Sequence, residues 1–143
     1  MIIHTCTPLR LGEGGRLEEE LVFETASLPC DAWIATLLEY DLDPELRGFA
    51  LPLQGFVYPL GSDKSVTDEQ VWIRTGYRKD QTFQPGASIL VRKSVRTRFS
   101  IPDYGDYRVR FDFLGRAVAN AFLDVRRPPE PAATEAKQEA APS

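Results

Sequence analysis

The stretch from residue 89 to residue 125, ILVRKSVRTRFSIPDYGDYRVRFDFLGRAVANAFLDV, decides how the chain folds, because two different periodicities can be tested against it directly. In its first part Ile89, Val91, Val95, Thr97 and Phe99 fall on one phase of a two-residue alternation, and Arg92, Ser94, Arg96 and Arg98 fall on the other. Extended backbone sends successive side chains to opposite faces, so this pattern predicts a strand with an apolar inner row and a basic outer row. Lys93 interrupts the inner row, which places it near a strand end or at a sheet edge. In YRVRFDF, Tyr107, Val109, Phe111 and Phe113 repeat the alternation against Arg108, Arg110 and Asp112. Helical spacing fits neither run. Leu114-Gly115 then makes a tight reversal into a last strand, RAVANAFLDV.

Outward from this stretch, EQVWIRTGY at 69–77 reads as a strand rich in β-branched and aromatic residues, and Gln84-Pro85-Gly86 as the turn that follows it. The segment Ala32–Leu42 carries mixed signals, with Ala35, Leu37 and Leu38 suited to a helix and Trp33, Ile34, Thr36 and Tyr40 to a strand; strand is the expectation. The turn-like DPELRG at 43–48 followed by FALPLQGFVY suggests a hairpin, with Pro52 confining its second strand to an edge or a bulge. LEEELVF at 17–23 adds an early strand. Seven strands with turns every eight to fifteen residues predict an all-β, two-layer antiparallel sandwich over residues 1–127. Residues 128–143, PPEPAATEAKQEAAPS, have almost nothing to bury and are expected to form a disordered tail.

Between the two arginine-bearing strands, Asp103, Gly105 and Tyr107 form the pattern D-x-G-x-Y, with Val109 two residues further on. This resembles the tyrosine corner of immunoglobulin-like sandwiches, and the cadence of the last hairpin is shared by C2-like sandwiches as well. The resemblance implies that Tyr107 turns its hydroxyl back to the backbone of the preceding crossover, and that Gly105 permits the turn. It also implies that the strands before and after the corner lie in opposite sheets, so that Arg92, Arg96 and Arg98 face away from Arg108 and Arg110. Pairing those strands as a hairpin would instead set arginine against arginine. Val109 stands where the antibody pattern has a cysteine, so the resemblance concerns fold and not antibody-like function.

Of the 143 residues, only Cys6 and Cys30 are cysteines and only His4 is a histidine. Without CxxC spacing or a second histidine, neither a metal site nor a cysteine nucleophile is expected, and no cofactor motif is visible. A small enzyme using Cys6 or Cys30 is the third-ranked reading. Asp41, Asp43 and Glu45 alternate near a turn as calcium ligands can, but a solvated turn explains them equally well. The absence of a charged-then-apolar opening, a long apolar run or a lipid anchor signal makes a cytoplasmic, non-membrane protein the expectation.

The net charge of −4 hides an asymmetry: residues 1–70 carry 4 basic and 13 acidic side chains, residues 71–127 carry 12 and 5. Arginines offer bidentate contacts to carboxylate or phosphate, and Trp72, Tyr77 and Tyr104 could stack on bases. The expectation is a non-catalytic binding or assembly module engaging a protein partner or a second copy through a strand edge or its basic face. Arg92, Arg96, Arg98, Arg108 and Arg110 are the candidate contacts. A nucleic-acid-associated domain using those five arginines ranks second, because the acidic first half opposes a polyanion.

Overall fold

A computed structural model describes residues 2–74 and 88–129. The expected turn at 84–86, the end of the strand expected at 69–77 and most of the expected tail lie outside the described residues. Within them every regular element except two short 3-10 turns is a strand: β1 (Ile2–Leu11), β2 (Leu17–Glu18), β3 (Leu21–Glu24), β4 (Cys30–Leu42), β5 (Ala50–Pro59), β6 (Thr67–Arg74), β7 (Ile89–Ile101), β8 (Gly105–Phe113) and β9 (Arg116–Arg126).

The nine segments make two sheets. Sheet A has the order β2-β1-β4-β7, and sheet B the order β3-β9-β8-β5-β6. The sheets curl toward each other along both sides, where β6 meets β7 and β1 meets β9. Their inner faces share one core, to which sheet A contributes Ile34, Leu38, Tyr40 and Phe99 and sheet B contributes Leu53, Val109, Phe111 and Phe113. Across that core Tyr40 lies 5.0 Å from Phe113 between ring centroids, and Phe99 meets Phe111 edge-on at 6.1 Å. Offset and edge-on contacts of this kind suit the aromatic quadrupole.

The alternation from 89 to 125 is the backbone of the arrangement. Val91, Val95, Thr97, Phe99 and Ile101 point inward from β7, and Tyr107, Val109, Phe111 and Phe113 from β8. Lys93 lies on the inward phase yet is exposed, because β7 is the edge strand of sheet A. β7 and β8 belong to different sheets, so every arginine acquires a cross-strand neighbour that is not a cation. Arg98 lies opposite Trp33, Arg96 opposite Ala35, Arg108 opposite Tyr58 and Phe122, and Arg110 opposite Phe56 and Asn120. Between the strands the Tyr107 hydroxyl donates to the Asp103 carbonyl at 2.7 Å, while Gly105 adopts φ 146°, a conformation that side chains disfavour. Leu114 and Gly115 both take positive φ in the two-residue turn joining β8 to β9.

Several expectations are corrected. There are nine strand segments rather than seven, since Ile2–Leu11 forms β1 beside β4 and LEEELVF divides in two. Leu17–Glu18 pairs with β1 in sheet A, whereas Leu21–Glu24 runs in sheet B, and the charged pair Glu19-Glu20 is the bend that switches sheets. The pairing of β3 with β9 is parallel, so the sheets are not wholly antiparallel.

β4 and β5 are not a hairpin. They lie in different sheets, joined by a crossover that holds the 3-10 turn Pro44–Leu46. Nor is β5 an edge strand: it lies between β8 and β6. Pro52 is tolerated there because its carbonyl accepts from Leu114 N–H on the side where β8 has already ended. The N–H that proline lacks would point to that same side, so no ladder bond is lost. Ala32–Leu42 is strand throughout, with Ala32, Ile34, Thr36, Leu38, Tyr40 and Leu42 inward.

Candidate functional site

The five candidate arginines do not form one surface. Arg92, Arg96 and Arg98 project from the outer face of sheet A, and Arg108 and Arg110 from the outer face of sheet B.

On sheet B the two cations are already occupied. The Arg108 guanidinium lies 5.0 Å from the Tyr58 ring, and that of Arg110 lies 5.0 Å from Phe56 and 5.6 Å from Tyr58. Arg110 also pairs with Asp112: its Nη2 donates to Oδ2 at 3.3 Å, and its Nε lies 3.1 Å from Oδ1 without the alignment of a hydrogen bond. These contacts hold the arginines over the buried Tyr58 ring and the half-buried Phe56 ring, which covers apolar area and fixes the charges in place.

The outer face of sheet A differs. Its β7 column reads Leu90, Arg92, Ser94, Arg96, Arg98, Ser100, and its β4 column Asp31, Trp33, Ala35, Leu37, Glu39, Asp41. Arg92 Nε reaches Glu39 Oε2 at 2.9 Å, and His4 Nε2 on β1 reaches Asp41 Oδ2 at 3.1 Å. Among the described residues Arg96 and Arg98 have no such partner. Beside them Trp33 is 42% exposed, Leu37 37%, Leu90 48% and, at the β1 margin, Ile2 62%. Aliphatic and indole surface interleaved with arginine is the composition that protein interfaces concentrate. A shallow depression of about 420 Å³ between β1, β4 and β7 exposes Leu37 and Thr7 alongside Arg92 and Ser94.

Sequence reasoning found the arginines but not Trp33, Leu37 and Leu90 as parts of this face. The available signal was that apolar residues occupy the outward phase of a strand, where polar ones belong.

Cys6 and His4 do not face each other. Cys6 is inward on β1, opposite Leu38, while His4 is outward on Asp41, so the imidazole and the thiol lie on opposite faces of sheet A. Burial raises the Cys6 thiol from 9.0 to about 11, and burial followed by the Asp31 charge raises that of Cys30. A thiol displaced that far loses roughly a hundredfold in thiolate fraction near neutral pH. Cys6 in the folded chain is therefore expected to react with iodoacetamide at pH 8 about 100-fold more slowly than a free thiol, and at the ordinary rate once unfolded in urea. Rate measurement by mass spectrometry checks this.

Asp41, Asp43 and Glu45 are not gathered about a cation position. Among the described residues no cluster of three or more metal-ligating side chains occurs, and no helix is long and apolar enough to cross a membrane.

The described residues thus define an all-β domain of two curled sheets whose outer faces both carry apolar and charged side chains, with the arginines stacked on rings on sheet B and two of them unpaired among the described residues on sheet A. Comparison with protein-family models, with curated proteins and with solved structures yields no match.

Proposed function

We propose that the chain is a non-catalytic protein-binding or assembly module, an immunoglobulin-like sandwich that engages its partner through the outer face of sheet A. The strand order supports the fold half of this reading. β1, β4 and β7 neighbour one another as strands A, B and E do, and β5, β8 and β9 as strands C, F and G do, with Tyr107 at the start of the F equivalent. The free thiols at Cys6 and Cys30 support residence in a reducing cytoplasm.

The observation that carries the functional half is the exposure of Trp33, Leu37 and Leu90 among Arg92, Arg96 and Arg98 on one sheet face. Apolar residues on the outward phase of two long strands cost solubility unless something covers them. Asp31, Glu39 and Asp41 on the same face offset its three β7 arginines, which weighs against a polyanion as the partner.

The test is a photo-reactive benzoylphenylalanine placed at Leu37 and, as control, at Phe122 on the outer face of sheet B, irradiated in the source cells. Protein adducts are expected from position 37 and not from position 122. Adducts to nucleic acid, or none from position 37, contradict the reading.

A further inference from the structure

We infer that the occupant of this face is the same face of a second copy, related by a twofold axis that runs parallel to the strands between β4 and β7. This rests on the reading of the sheet A face as the binding surface. The two columns carry opposite charge: Asp31, Glu39 and Asp41 on β4 against Arg92, Arg96 and Arg98 on β7. A partner of one sign could satisfy only one column. A twofold axis between the columns lays each β4 over the partner's β7 at unchanged height, so each register pair of one copy recurs twice across the interface. Glu39 then meets the partner's Arg92 and Trp33 meets the partner's Arg98, giving an ion pair and a cation–π contact in duplicate. Self-complementarity of this kind is what an isologous interface requires.

The geometry tolerates the twist of stacked sheets. The two pairs lie three residues either side of the strand centre, about 10 Å away. An intersheet angle of about 30° displaces them sideways by roughly 5 Å, within an arginine side chain's reach. Arg98, with no ion-pair partner among the described residues, can turn onto the partner's Trp33.

The twofold predicts a result that other partners do not. Glu39→Arg creates cation against cation at both symmetry-related sites of a homodimer, and Arg92→Glu creates anion against anion. In an equimolar mixture of the two variants, the two introduced side chains, opposite in sign, meet each other at one site, and the native Glu39 and Arg92 meet at the other, so both sites are attractive.

In sedimentation equilibrium of the full chain at low salt, the wild type is expected to form dimers. Each variant alone should dissociate at least tenfold more readily, and the mixture should return to within about threefold of wild type. Trp33→Ala, which alters no charge, should also weaken the dimer, and circular dichroism checks that every variant is folded.

A wild type that stays monomeric throughout, folded charge variants that dimerise like wild type, or a mixture that stays monomeric overturns the inference. Photo-adducts from position 37 to a protein of different mass, with a monomeric wild type, would overturn the second copy as occupant while leaving the face reading intact. No adduct from position 37 would remove both.

Discussion

Gly55→Val is expected to destabilise the fold by more than about 3 kcal/mol. Gly55 is buried in the middle of β5, opposite Phe111 on β8, and the Phe99 ring descends onto it from sheet A. A Cβ at this position would overlap Phe99 Cζ and come within 3.0 Å of Phe111 Cε1 and 3.1 Å of Phe99 Cε1. The ring cannot swing away, because Phe99 is fully buried and rests edge-on against Phe111. Overpacking a filled core costs about 1–3 kcal/mol even for small additions, and the branched side chain adds two methyls beyond that first carbon. A loss beyond the upper end of that range is a large part of a total stability of about 5–15 kcal/mol. Urea denaturation of Gly55→Ala should show a loss of about 2–3 kcal/mol, and Phe99→Leu in the same chain should recover part of it. Additive losses in the double variant would contradict the close approach.

Phe113→Ala should be almost as damaging for the opposite reason. Phe113 is fully buried at the end of β8 and packs against Tyr40 of β4 with the rings tilted by 55°, so one ring from each sheet closes that end of the core. Removing it leaves a cavity facing Tyr40 and forfeits both apolar burial and the ring contact, a loss of about 3–5 kcal/mol. The midpoint of urea unfolding should fall accordingly, with the slope unchanged. Phe122→Ala, on a side chain 77% exposed on the outer face of the same sheet, should leave the midpoint almost where it was.

The part of the fold readable in the sequence is the part where one face is apolar and the other polar. From Ile89 to Phe113 the outward positions are nearly all charged or hydroxylated, so the period of two stands clear. β4 resisted the same reading because Trp33, Ala35 and Leu37 are apolar on its outward phase, which imitates the spacing of a helix. Those are residues of the face proposed to bind, and local rules often fail where a surface serves a partner. β1 escaped notice because none of its side chains is fully buried and a bulge between Ile3 and Thr5 breaks its alternation. The switch of Leu17–Glu24 between sheets depends on how two sheets curl together, which no local pattern encodes.

The chain has two tryptophans, Trp33 on sheet A and Trp72 on sheet B, 42% and 58% exposed, and they report on the two outer faces separately. Hydroxyl-radical oxidation of the full chain, dilute and then concentrated at low salt, tests most directly whether the face of sheet A is the one that becomes covered. Trp33 is expected to be protected severalfold on concentration while Trp72 oxidises at an unchanged rate. Equal behaviour of the two, or protection of Trp72 alone, would contradict it.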